Sequence, residues 1–287
     1  MRIVFMGTPD FAVPSLKALV EGGYSVVGVV TQPDRPKGRG KKLAMSPVKE
    51  YAIQQGIPVL QPERISRDGY ENLLNLHPDL CVTAAFGQIL SQKILDIPPL
   101  GTINVHASLL PKHRGSAPIA WAMVQGDKTT GVTTMMTARG IDNGDMLLKA
   151  ETPIDPAETC GELTARLSEI GAKLLIDTLK ALENGTLERI PQDESQMTYD
   201  PKLEKDMGVI DWTQDAADIV HRIHGLNPWR QASQGRSPSS SRSPRGQARN
   251  DPDSPACGRR RTRRTRTDRR CFSPPARAAV PSDPGRR

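Results

Sequence analysis

Short, almost wholly apolar runs recur through the first half of the chain, and they narrow the choice of fold more than any other feature. RIVFMG (2–7), SVVGVVT (25–31), DLCVTAAF (79–86), TINVHAS (102–108) and GVTTMMTA (131–138) lack the strict polar alternation of a strand with one wet face. They suit strands buried on both faces. Between the first two, Pro9 opens a segment with Phe11, Val13, Leu16, Leu19 and Val20 on one helical face, and Gly22-Gly23 stops it. Strand, helix, strand with fully apolar strands predicts a parallel sheet covered by helices on both sides. Residues 46–55 and 68–77 continue as helices around a short strand near Pro58–Leu60, and Met146–Leu148 adds a further strand. Leu163, Leu167, Ile170, Leu174 and Ile176 predict one long helix from Thr159 to Glu183, closed by Gly185. The fold class is α/β, a Rossmann-like parallel sheet over residues 1–188, with a polar linker at 189–205.

Several function classes drop out. GTPDF after the first strand is not GxGxxG, and nothing reads GxxxxGK[ST], so neither dinucleotide nor P-loop binding is indicated. No run approaches the roughly 18 apolar residues of a membrane span, and MRIVFMGTPDF does not read as a signal peptide. Cys81, Cys160, Cys257 and Cys271 form no CxxC pair, so no metal site is expected and a cytoplasmic setting is the default.

Charge divides the chain. The net +7 arises from residues 231–287, which hold 15 Arg and no Lys against 4 Asp and no Glu, while residues 1–230 hold 24 basic and 28 acidic residues. The last 57 residues contain no Leu, Ile, Met, Tyr or Trp, with 8 Pro and 9 Ser. Such a segment buries too little apolar surface to offset its ordering entropy and is expected to be disordered. It reads as an arginine-rich nucleic-acid arm, or as the out-of-frame translation of a GC-rich gene.

The chemistry concentrates at strand ends, where open α/β sheets bind ligands. Asn104 and His106 lie two apart on one strand and share a face. RGIDNGDM (139–146) follows the next strand and places Asp142 and Asp145 at another end. An imidazole moves a proton near neutral pH, a carboxamide donates to an oxyanion, and a carboxylate steadies an imidazolium. The same residues also read as structure, a strand-end pair and an Asx turn.

NVHASLLPKHRGSAPI (104–119) followed by GIDNGDM (140–146) resembles the signature of the folate-dependent formyltransferases. RIVFMGTPDFAVPSL (2–16), TQPDRPKGRGKKL (31–43), SPVK (46–49) and NPW (227–229) extend the resemblance to residue 229. It implies formyl transfer from 10-formyltetrahydrofolate to the α-amino group of methionine on initiator tRNA. It assigns catalysis to Asn104, His106 and Asp142. It assigns folate binding to Ser108, Leu109, Leu110 and Pro111, and to Phe86, Gln88, Ile89 and Leu90. The basic loop 32–45 is expected at the tRNA acceptor end, with Arg39 central and Lys41 and Lys42 beside it. No membrane partner and a monomeric state are expected.

The sequence departs from the family pattern after NPW. Arg230 stands where the family continues with Pro, and the tail cannot supply the strands of the family's C-terminal OB-like β-barrel. Residues 206–230 then read as the truncated start of the tRNA-binding domain, and the helix at 214–225 (Ala216, Ile219, Val220, Ile223) is expected to stand without partners. Two other readings stay open. One is a same-fold enzyme that formylates a small amine, such as a nucleotide sugar or glycinamide ribonucleotide. The other is a non-catalytic RNA-binding protein that works through its tail.

Overall fold

In the computed structural model, residues 1–37, 42–229 and 233–234 are described, with residues 37, 42, 233 and 234 described by backbone only. The expected disordered tail therefore lies almost wholly outside the described residues. The chain begins β1 (Arg2–Gly7), α1 (Val13–Glu21), β2 (Ser25–Val30), β3 (Arg35–Lys37), β4 (Lys42–Ala44), α2 (Pro47–Gln54) and β5 (Val59–Leu60). It continues α3 (Ile65–Asp68), α4 (Tyr70–Leu74), β6 (Leu80–Ala84), α5 (Gln92–Leu95), β7 (Thr102–His106), β8 (Arg114–Gly115) and α6 (Pro118–Val124). Then come β9 (Thr129–Met136), β10 (Met146–Pro153), α7 (Cys160–Glu183), β11 (Tyr199–Asp200), β12 (Val209–Ile210), α8 (Ala216–Leu226) and β13 (Ser233–Gln234).

Seven strands form one sheet in the order β10-β9-β7-β6-β1-β2-β5. The apolar runs occupy its centre, where Ile3 to Met6 and Leu80 to Cys81 are wholly buried. One face packs on α1 and α7, through Leu16, Leu19, Leu163, Leu167, Leu175 and Leu179. The other packs on Ile65, Leu73, Ile94 and Leu95. Each such side chain contributes about 1.5–3 kcal/mol by leaving water. The long α7 starts with a capping box, Thr159 and Glu162 bonding each other's backbone N–H.

The sheet is mixed rather than wholly parallel. β5, β2, β1, β6 and β7 run parallel, but β9 is antiparallel to β7 and β10 to β9. After β7 the chain does not cross back behind the sheet. It spends residues 107–128 at the carboxyl rim, so β9 must enter from that rim and run the other way, as the pairing His106↔Thr133 shows. The β9–β10 turn is too short for a crossover helix, so β10 reverses again.

Three smaller expectations change. The helix expected at 68–77 is shorter, α4 alone, ending at Leu74, and a separate short helix, α3, precedes it across Gly69, where a Cβ would lie 3.0 Å from Ile65 Cα and from Pro62. The segment after Pro9 starts as a 3₁₀ turn, Asp10–Ala12, before α1. The helix expected to stand alone packs on α6 instead: Gly225 and Leu226 of α8 are buried, and a Cβ at Gly225 would lie 2.8 Å from Val124 and 3.0 Å from the Ala120 carbonyl. Lacking a side chain there, α8 lies directly on α6, while Val220 stays exposed.

Candidate active site

Asn104 and His106 sit at the carboxyl end of β7, beside the ends of β6 and β1. Thr83 of β6 lies opposite Asn104 in register, and its hydroxyl donates to Asn104 Oδ1 (2.9 Å). That contact orients the carboxamide and leaves its NH2 end for another acceptor. His106 is buried, and its Nε2 lies 2.9 Å from the main-chain oxygen of His113. A carbonyl accepts only, so Nε2 carries the proton and donates. In the neutral ring Nδ1 then holds the lone pair, and it faces Asp142 Oδ1 at 3.7 Å.

Asp142 reaches His106 by an indirect path. The turn after β9 leaves the sheet beside Thr102, whose carbonyl accepts from Thr137 N–H (2.7 Å), and doubles back along the face of β7. Asp142 adopts φ +47°, a left-handed conformation that Asp tolerates better than most residues. Its Oδ2 accepts from the Gly115 N–H (2.9 Å), which turns Oδ1 toward the imidazole. Gln192 donates from one amide nitrogen to the carbonyls of Asp142 and Gly144, both at 2.8 Å. Asp145, the turn's other carboxylate, is not brought to His106; its main-chain oxygen accepts from Met136 N–H (2.8 Å).

The stretch expected as a linker forms a strap over these loops. β11 pairs parallel with β8, Tyr199↔Arg114 and Asp200↔Gly115. The buried Arg114 guanidinium holds Glu194 in two bonds (2.8 and 3.0 Å) and Gln192 in a third (2.9 Å). Arg114 keeps the Glu194 carboxyl below its ordinary range. Trp121 Nε1 donates to the Pro201 carbonyl (2.8 Å). Gly115 lies where strap and turn meet, at φ +122°, and a Cβ there would lie 2.2 Å from the Asp200 carbonyl. Gly115→Ala should therefore lower stability by roughly 1–3 kcal/mol. Thermal unfolding checks this against Gly56→Ala, which carries the left-handed strain (φ +67°) in open space. Equal losses for the two variants would show that the strap contact is soft.

His113 stands behind His106, with φ +60° and both ring nitrogens against carboxylates. Nδ1 is 2.7 Å from Asp200 Oδ2, and Nε2 is 2.8 Å from Asp127 Oδ2. Burial pushes its pKa down, but hydrogen bonds to Asp200 and Asp127 outweigh this and raise it above the ordinary value.

The residues assigned to folate divide in two. Ser108 and Leu110 are buried, Ser108 Oγ donating to the Lys112 carbonyl (2.7 Å) and the Leu110 carbonyl accepting from Lys149 Nζ (2.5 Å). Burial lowers the Lys149 pKa. Leu109 and Pro111 are half-buried. Phe86 and Leu90 are buried, and the Phe86 carbonyl accepts from Thr8 (3.1 Å) and Gln32 (3.2 Å). The Gln88 side chain turns away to bond Ile65 N–H (2.7 Å) and the Pro62 carbonyl (3.1 Å). Only Ile89 stands out, 86% exposed. Arg39 and Lys41, and the Lys42 side chain, lie outside the described residues. Thr83, Gln192, Asp127 and Asp200 escaped the sequence reading because nothing in their spacing points to residues so far away. His113 lay within a quoted motif, but its ring contacts did not show there.

Among the described residues, no group of three or more His, Cys, Asp or Glu is placed to hold a metal ion, and no helix is long and apolar enough to cross a membrane.

Comparison with known proteins gives one answer. Residues 1–179 match the family described as Formyl transferase, and residues 202–236 match Formyl transferase, C-terminal domain. A methionyl-tRNA formyltransferase of Acetivibrio thermocellus is 56% identical over 230 residues, 80% of this chain and 74% of that protein. One of Clostridioides difficile is 50% identical over the same shares. Among solved structures, an N-formyltransferase from Helicobacter canadensis in complex with folinic acid and dTDP-3-aminofucose gives TM-score 0.62 at 19% identity, covering 78% of this chain and 80% of that one. HypX from Aquifex aeolicus in complex with tetrahydrofolic acid gives TM-score 0.58 at 18% identity, covering 82% of this chain and 36% of that one.

Proposed function

The chain belongs to the formyl transferase family, and from that premise we propose that it transfers a formyl group from 10-formyltetrahydrofolate to the α-amino group of methionyl initiator tRNA. The observation that carries the reaction is the meeting of His106 Nδ1 and Asp142 Oδ1 beside an oriented Asn104 carboxamide. The choice of acceptor is supported by relatives of 50–56% identity that carry the tRNA enzyme's name. The neighbour solved with dTDP-3-aminofucose, at 19%, supports the fold alone.

The amine nitrogen attacks the formyl carbon, and the carbonyl oxygen becomes an oxyanion. Asn104 Nδ2 donates to that oxyanion. The attacking nitrogen must shed a proton, and His106 Nδ1 takes it, directly or through a water that also bonds Asp142. Asp142 stabilises the imidazolium that results. Collapse of the tetrahedral intermediate expels the folate N10, which takes up a proton from the same imidazolium. Atoms balance: one C–N bond forms, one breaks, and the proton moves from acceptor amine to folate. No covalent enzyme intermediate is needed.

Folate is expected along the 86–90 segment and Ser108–Pro111, with main-chain groups contacting the pterin edge and the exposed Ile89 its face. Residues 1–188 form the catalytic unit in this reading, 189–205 hold its loops, and 206–230 begin the tRNA-binding portion. The basic loop around Arg39, with Lys41 and Lys42, contacts the acceptor end of the tRNA. Arg39→Leu should then raise KM for Met-tRNA at least tenfold, with folate KM changed less than twofold, as for loss of a charge-assisted contact worth about 1.5–3 kcal/mol. Steady-state kinetics with each substrate varied in turn checks it, and parallel losses in both would remove the assignment.

The direct test is transfer of radiolabelled formyl to Met-tRNA by the full chain. Labelled formylmethionyl-tRNA supports the reading. Transfer to a nucleotide-sugar amine but not to Met-tRNA would replace the acceptor, and RNA binding without turnover would remove catalysis.

A further inference from the structure

We propose that His113 is a positioning residue for His106: clamped as an imidazolium between Asp127 and Asp200, it holds the main-chain carbonyl that fixes which His106 nitrogen faces Asp142. The inference rests on the reaction assigned above and adds a residue to it.

The geometry requires the charged ring. Deprotonated carboxylates only accept, and His113 meets one at each nitrogen, at 2.7 and 2.8 Å. Both contacts are hydrogen bonds only when both nitrogens carry protons. The side chain is 6% exposed, so an unpaired charge would be costly there and two counter-charges are needed. The three partners come from separate parts of the chain. His113 lies in the loop after β7, Asp127 follows α6, and Asp200 is in the strap.

The main chain of the same residue carries the consequence. His113 N–H donates to Thr198 Oγ1 of the strap (2.7 Å), and its carbonyl accepts from His106 Nε2 (2.9 Å). Ring and backbone together pin this peptide in its left-handed conformation. The orientation of the carbonyl keeps the proton on Nε2 and the lone pair on Nδ1. His113 touches neither folate nor amine in this arrangement and acts only through His106.

Other charged groups nearby do not replace it. Arg114 next to it is committed to Glu194 and Gln192. His221 of α8 lies over Gly126, beside Asp127, where a Cβ would meet its ring at 2.8 Å. When His113 loses its proton, one nitrogen turns a lone pair toward a carboxylate. One contact opens, and the peptide is released. The direction of the pKa shift sets the window. The group is raised, so the clamp is complete below the ordinary His value and is lost as pH climbs through the raised one. The clamp therefore gives kcat an alkaline limb.

The test uses the full chain with Asp200→Asn, Asp127→Asn and Asp200→Glu. Either Asn variant removes one counter-charge and should move the alkaline limb of kcat to lower pH by about 1–3 units, with KM for both substrates changing less than kcat. Asp200→Glu keeps a carboxylate and should restore the limb. A merely structural clamp would lower kcat equally at every pH. Nitrogen-15 spectra of the histidine rings should show His113 protonated at both nitrogens at pH 7 and His106 protonated at Nε2. Asp200→Asn should broaden or change the His106 signal. A neutral His113 at pH 7, or pH profiles and His106 spectra identical in wild type and both Asn variants, overturns the proposal. If wild type transfers no formyl at any pH, the functional reading falls on its own, and the His106 spectra still decide the clamp.

Discussion

His106→Ala should lower kcat for formyl transfer by roughly 10²–10⁴-fold with folate affinity little changed, because it removes the proposed proton carrier without touching the proposed folate segment. The structure sharpens this expectation. The ring is held at Nε2 by the His113 carbonyl and faces Asp142 at Nδ1, so the basic nitrogen is defined. His106→Gln separates the two functions. Its amide NH2 retains a donor for the His113 carbonyl, but the amide has no basic nitrogen, so it should be nearly as slow as the alanine variant. Single-turnover formyl transfer, with folate binding followed by fluorescence, checks both. A loss below tenfold in either variant would mean that the amine is deprotonated elsewhere.

Asn104→Ala should cost roughly 10²–10³-fold in kcat, the usual effect of losing one oxyanion donor. The reasoning depends on Thr83. Its hydroxyl donates to Asn104 Oδ1, so the amide cannot turn that oxygen toward the developing charge without losing the bond. Asn104→Asp is the more demanding variant. It places an acceptor, and at neutral pH a negative charge, where a donor is required, and it should be slower than Asn104→Ala despite its similar shape. If Asn104→Asp retained more activity than Asn104→Ala, the side chain would be filling space and not stabilising an oxyanion.

The legible part of this protein was local. Apolar runs such as Ile3–Met6 and Leu80–Ala84 announced strands buried on both faces, because a strand with helices on either side has no wet face to mark. The long α7 was visible from its near-helical apolar spacing and the Gly185 that closes it. Asn104 and His106 could be paired in advance because period-two geometry puts residues i and i+2 on one face. Strand direction was less legible. An apolar run reads the same in either direction, and the reversal of β9 and β10 follows from the path of residues 107–128 along the rim.

The site's supports were illegible for a related reason. Asp200 lies 87 residues from His113, and Glu194 lies 80 from Arg114, in a stretch whose polar composition suggests only a connector. Which carboxylate meets which base is decided by where the chain returns after folding, and no spacing rule records that. Residue pattern alone established an α/β sheet with an imidazole and a carboxamide at its rim. Three-dimensional packing decided that Asp142 doubles back to that imidazole and that two distant aspartates clamp a second one behind it. Backbone periodicity acts over a few residues, whereas buried charges are satisfied by whichever partner the folded path brings within hydrogen-bonding reach.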